Sequence, residues 1–92
     1  MNIYKITSTA YGYDTYDSAI VIAKDKDLAQ RMHPNDSYIF KGNEWIYKKT
    51  LKPAGYFSGS WVKDIEEVEV ELIGVAIEGS IEGVVASSFN AG

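Results

Sequence analysis

Apolar and polar positions fall into short blocks along the chain, and their spacing changes from one block to the next. In residues 2–9, Ile3, Tyr4 and Ile6 sit with Thr7 and Thr9, side chains that suit a pleated, half-buried strand. Tyr11-Gly12-Tyr13-Asp14-Thr15-Tyr16-Asp17 is turn chemistry, with Gly and Asp tolerating unusual backbone angles. Ala19-Ile20-Val21-Ile22-Ala23 is a continuous apolar run, which predicts a central strand buried on both faces and paired with the first strand as a hairpin. Asp25 then reads as an N-cap, because its carboxylate accepts the open amides of a first helical turn. Leu28, Ala29 and Met32 fall at helical spacing, and His33-Pro34 stops the helix after about eight or nine residues, since proline disfavours the α conformation before it.

Residues 35–60 change character and read as an inserted segment within one domain spanning 1–92. Tyr38-Ile39-Phe40 and Trp45-Ile46-Tyr47 flank Lys41-Gly42-Asn43-Glu44, a hairpin around a Gly-Asn turn. Residues 53–60 are loop chemistry. Val68, Val70 and Leu72 then alternate with Glu67, Glu69 and Glu71, so period two separates aliphatics from carboxylates on opposite faces of a strand. Ile77-Glu78-Gly79 and Ile81-Glu82-Gly83 shoulder a turn at Ser80, and a last strand runs from Val84 to near Phe89. The order β-β-α, inserted hairpin, β-β predicts an α+β fold: a single antiparallel sheet with one short helix packed on one face.

Composition narrows the chemistry. The 92 residues contain no cysteine, which excludes a disulfide framework, a thiolate metal site and a cysteine nucleophile. The net charge of −4 hides a polarity. Residues 1–63 hold nine Lys and Arg against six Asp and Glu, whereas residues 64–92 hold seven Asp and Glu with no Lys or Arg. No segment has the length and apolarity of a membrane span, and the start lacks the pattern of an export signal.

Catalytic instruments are few. His33 is the only histidine, and its place beside Pro34 predicts a helix-end role, bonding terminal carbonyls. No phosphate-binding loop or nucleophile elbow is present. The reading is therefore a protein that is not an enzyme and needs no cofactor or metal. Glu67, Glu69 and Glu71, spaced roughly 6.6–6.8 Å apart along a strand, resemble the regular charge of a nucleic-acid backbone; the same pattern suits a solvated sheet face that discourages edge pairing. Tyr11, Tyr13, Asp14 and Tyr16 form a second candidate surface, or a small satellite core over the sheet end. A third group interleaves Lys41, Lys48, Lys49 and Lys52 with Trp45, Tyr47, Tyr56, Phe57 and Trp61, suited either to phosphate contact and base stacking or to core packing.

Tyr13-Asp14-Thr15-Tyr16-Asp17-Ser18-Ala19-Ile20-Val21, the helix closing on His33-Pro34, Trp61, Val70-Glu71-Leu72-Ile73-Gly74-Val75-Ala76 and terminal Ser88-Phe89-Asn90-Ala91-Gly92 resemble a group of very small proteins encoded by bacteriophages and prophages. The resemblance covers about two-thirds of the chain, with residues 35–60 as an insertion relative to it. It implies an inhibitor acting in the host cytoplasm on a host defence protein, as anti-CRISPR proteins act on CRISPR effectors. The implied contact is protein to protein, by a monomer or homodimer, without direct nucleic-acid or membrane binding. Glu67, Glu69 and Glu71 would oppose basic groups of the target, and Tyr11, Tyr13 and Tyr16 would anchor it. Two other expectations stand beside this one: a nucleotide-binding sponge built on the lysines and aromatics of the insertion, and an assembly protein pairing through exposed sheet edges.

Overall fold

The computed structural model describes residues 1–9, 15–55 and 59–90, and its strands follow the predicted order. Strand β1 (Asn2–Ser8) and strand β2 (Thr15–Ala23) form an antiparallel pair, followed by helix α1 (Lys26–Gln30). Strands β3 (Tyr38–Lys41) and β4 (Glu44–Tyr47) make a separate two-stranded hairpin. Strands β5 (Val68–Val75) and β6 (Gly83–Asn90) complete a four-stranded antiparallel sheet in the order β5-β1-β2-β6. The fold is α+β and mostly β.

One side of the sheet is covered. Tyr4, Ile6 and Ser8 of β1 are buried there, beside Ala19, Val21 and Ala23 of β2 and Val68 of β5. Against them lie Ala29 and Met32 from the helical segment, Tyr38, Phe40 and Trp45 from the hairpin, and Ala54, Trp61 and Val62 from the chain that follows it. The insertion thus contributes to the common core rather than forming a lobe of its own. Strand β2 departs from its expected burial on both faces. Ile20 and Ile22 point to the uncovered side and are only half-buried, so the run is central in the sheet but one-faced in the core.

Local chemistry explains the element ends. Asp25 caps the helix as expected, its carboxylate accepting the Leu28 amide at 2.8 Å. The helix ends at Gln30, shorter than the spacing predicts, because Met32 is drawn into an antiparallel bridge with Ile39 and the Arg31 carbonyl accepts the Phe40 amide. In the hairpin, Gly42 and Asn43 have φ of 63° and 66°, the two left-handed angles that a two-residue turn needs to match strand twist.

His33 lies beyond the end of the helix, which closes at Gln30 with Arg31 as its C-cap, and it is built into the core. It is 1% exposed, and its Nδ1 accepts the Asn35 amide at 2.9 Å. Its ring sits among those of Tyr16, Tyr38, Trp45 and Trp61. A histidine held this way joins strand β2, the hairpin and the Trp61 segment within the core.

Candidate functional site: the uncovered face of the sheet

The register of the four strands places side chains of the uncovered face in three rows. Gly74, Ile3, Ile22 and Gly83 form the first, from the β5 edge to the β6 edge. Glu71, Lys5, Ile20 and Ala86 form the second, and Glu69, Thr7, Ser18 and Ser88 the third. The face therefore grades from aliphatic in the first row to hydroxyl-bearing in the third, and within these three rows the carboxylates belong to β5. A Cβ at Gly74 would meet the Ile3 side chain at 3.7 Å, so glycine leaves that isoleucine bounded by backbone on this side.

Two bulges in the outer strands shape this arrangement, and a third register shift leaves Asp17 as the extra residue of β2, between the Tyr16–Phe89 and Ser18–Ser88 pairs. Ile73 is the extra residue of β5, between the Ile3–Gly74 and Tyr4–Leu72 pairs. Val85 is the extra residue of β6, between the Val21–Val84 and Ile20–Ala86 pairs. A bulge breaks strict alternation and re-aims side chains, and both extra residues are at least half exposed, Ile73 at 50% and Val85 at 60%.

The surrounding segment is apolar as well. Leu72, Ile73, Val75, Ile77, Ile81, Val85 and Phe89 are all largely exposed, and they fall between β5 and the end of β6. Val75, Ile77 and Ile81 lie at or within the crossover from β5 to β6, which the Ala76 amide ties to the Met1 carbonyl at 2.9 Å. A turn at Ser80, whose amide and hydroxyl both bond the Ile77 carbonyl, projects Ile77 and Ile81, each more than 80% exposed. Glu78 and Glu82 stand beside them, also exposed.

The sequence-derived candidates divide accordingly. Glu69 and Glu71 share the uncovered face, with Lys5 directly opposite Glu71 across the β1–β5 pair. Glu67 does not belong to the strand. It closes a 3-10 turn at Ile65–Glu67 through its amide and the Asp64 carbonyl, while its own carbonyl accepts the amide and hydroxyl of Thr9. The acidic row is thus two strand residues preceded by a turn residue. Tyr16 is half-buried, with its ring edge-on to Phe89 at 5.0 Å and to His33 at 6.1 Å, which places it in packing at the sheet end. Tyr11, Tyr13 and Asp14 lie outside the described residues.

The lysine and aromatic group of the insertion also divides. Trp45 and Trp61 are core residues, and the Trp45 indole N–H donates to the Val62 carbonyl at 2.8 Å. Lys48, Lys49 and Lys52 instead gather with Tyr38 and Tyr47 around a cleft at the open end of the hairpin. The Tyr38 phenol is held above the usual tyrosine range by its burial first, then by Tyr47 through charge and a side-chain hydrogen bond, with a further contribution from Tyr16.

Sequence reasoning missed the aliphatic crossover. The signal was present in Ile77 and Ile81, two large apolar residues within a Gly-Ser turn, where exposure is the expected fate. Among the described residues no helix is long and apolar enough to cross a membrane. The chain matches no protein-family model, and no curated protein or solved structure shows significant similarity to it.

Proposed function

We propose that this protein is a non-enzymatic inhibitor that binds a host defence protein through the uncovered side of its sheet. The observation that supports this reading most is the set of exposed aliphatics Ile73, Ile77, Ile81 and Val85 in the segment that also carries Glu69, Glu71, Glu78 and Glu82. A large exposed apolar patch rimmed by charge is uncommon on a monomer and marks a contact surface. Ile73, Ile77 and Ile81 would supply the desolvated centre, and the carboxylates would favour a partner with basic groups around an apolar depression. Charge at the rim acts on encounter rate and partner choice, while the apolar centre sets the lifetime of the complex. The phage-family resemblance supports a defence protein as the partner.

The test begins with tagged protein used to capture its partner from host cells, followed by titration of the purified chain against that partner's activity. Inhibition should saturate at a fixed stoichiometry. Ile77→Lys with Ile81→Lys should abolish capture, and Glu69→Gln with Glu71→Gln should slow association and flatten its salt dependence. Inhibition at far below stoichiometric amounts would show catalysis instead. Capture unaffected by the paired isoleucine substitutions would place the contact elsewhere.

A further inference from the structure

The cleft at the open end of the β3–β4 hairpin has a volume of about 750 Å³, within the range of roughly 300–1,000 Å³ typical of small-molecule sites. We propose that it binds a mononucleotide-sized ligand, an aromatic ring bearing phosphate. Tyr38 and Tyr47 are directly opposite each other in the hairpin, their rings 5.2 Å apart and tilted by 46°. Tyr38 is buried and fixed, whereas Tyr47 is half-buried and, with Pro53, forms the apolar wall against which a base would lie.

The charge around this wall is unbalanced. Lys48 is already committed to Asp36, its ammonium 2.9 Å from the carboxylate. Lys49 and Lys52 are exposed and make no ion pair among the described residues. Asp36 is the one carboxylate on the lining, so two ammonium groups are left facing a site without a compensating anion. The lip that carries them is closed by backbone bonds, Leu51 amide to Tyr47 carbonyl at 2.8 Å and Tyr47 amide to Lys52 carbonyl at 2.9 Å. Leu51 between them has φ of 60°, a left-handed angle unusual for a non-glycine residue, and it keeps Lys49 and Lys52 on one short loop.

The ligand class follows from these features together. Inorganic phosphate would use the lysines and leave the aromatic wall idle, and an uncharged aromatic would do the reverse. A long polyanion is disfavoured because the chain as a whole carries a net charge of −4, and repulsion grows with each added phosphate. Ile73, Ile77, Ile81, Glu69 and Glu71 do not line this cleft, which meets the sheet where Asp36 accepts the Val84 amide at 3.3 Å, so its failure would leave the protein-binding reading untouched.

The experiment is calorimetry, with amide chemical-shift mapping, on the full chain against AMP, GMP, CMP and UMP. Adenosine, inorganic phosphate and a thymidine 20-mer serve as comparators. One or more of the mononucleotides should bind saturably and shift the amides of Tyr47 to Lys52. Adenosine and phosphate alone should each bind at least about tenfold more weakly, as should any nucleotide to Lys49→Gln with Lys52→Gln. Lys63→Gln, at an exposed lysine outside this cleft, should leave affinity unchanged. No saturable binding at millimolar nucleotide, or binding that survives the paired lysine substitutions, would overturn the proposal. Tighter binding of the 20-mer than of any mononucleotide would overturn it in favour of a single-strand groove.

Discussion

The two buried tryptophans provide a matched test of how the hairpin is held to the rest of the core. Trp45 and Trp61 are 5% and 6% exposed, so replacing either with phenylalanine removes a similar amount of buried ring. Their indole nitrogens differ. That of Trp45 donates to the Val62 carbonyl at 2.8 Å, whereas that of Trp61 is buried with no acceptor among the described residues. The lost ring costs about 1–2 kcal/mol in either case, on the usual scale for buried apolar area. Trp45→Phe also leaves a buried carbonyl without its donor, which adds about 1–2 kcal/mol, giving about 2–4 kcal/mol in total. Trp61→Phe deletes an unsatisfied donor, a gain of similar size that offsets the lost ring and leaves a change near zero.

A chain of this length has a total stability of about 5–14 kcal/mol, so both variants should fold. Urea titration followed by far-ultraviolet circular dichroism avoids the altered fluorescence, and equal m-values would show that the unfolded states are comparable. Trp45→Phe should lose at least about 1.5 kcal/mol more than Trp61→Phe. If Trp61→Phe is as costly as Trp45→Phe, the assignment of the two nitrogens is wrong, and hydrogen bonding does not decide how the hairpin is anchored.

Other outcomes follow from particular contacts. Asp25→Ala removes the helix cap and should cost about 1 kcal/mol, lowering the melting temperature by about 4–8 °C, while Asp25→Ser should retain most of the stability. Gly42→Ala forces a side chain into a left-handed turn position and should cost about 1–2 kcal/mol by thermal denaturation. Tyr38 sets an alkaline limit. Its phenol is raised in the folded state above the unfolded value of about 10, so the associated stability is full below that pH and is lost as pH rises through the folded value. Denaturant titrations between about pH 9 and 11 should therefore fall more steeply for the wild type than for Tyr38→Phe.

Features governed by neighbouring residues were legible in the sequence. The Asp25 cap, the Gly42-Asn43 turn and the alternation of Val68, Val70 and Leu72 with glutamates depend on a few adjacent positions, and each occurs where its residue types place it. The helix length was not legible, because bridging of Met32 to Ile39 comes from a strand that the helical spacing does not register. The enclosure of His33 was not legible for the same reason. Four rings from separate segments enclose it, and nothing beside Pro34 announces them. The candidate face was half legible. Alternation put Glu69 and Glu71 on one side, but the pairing of Lys5 with Glu71 and the alignment of Ile3 with Ile22 require strand order and register. The bulges at Ile73 and Val85 shift that register without a proline or glycine at the extra residue to mark them.

The strand order also bears on how the chain reaches this state. β1 and β2 are joined locally, yet each finds its outer neighbour only after the whole insertion has been passed, as the Thr9–Glu67 contact across 58 positions illustrates. Local hairpins close in microseconds, whereas pairings that span most of a chain must first overcome a large loop entropy. The two hairpins can thus form early and independently, with β5 and β6 adding later to opposite sides of the first. Until they do, β1 and β2 each present an unsatisfied ladder, and Ile6 and Val21 lack their outer walls. Substitutions in β5 or β6 should chiefly accelerate unfolding, while those in the β1–β2 hairpin should chiefly slow folding. The strands that carry the proposed contact surface are then the last to join the sheet and the first to leave it.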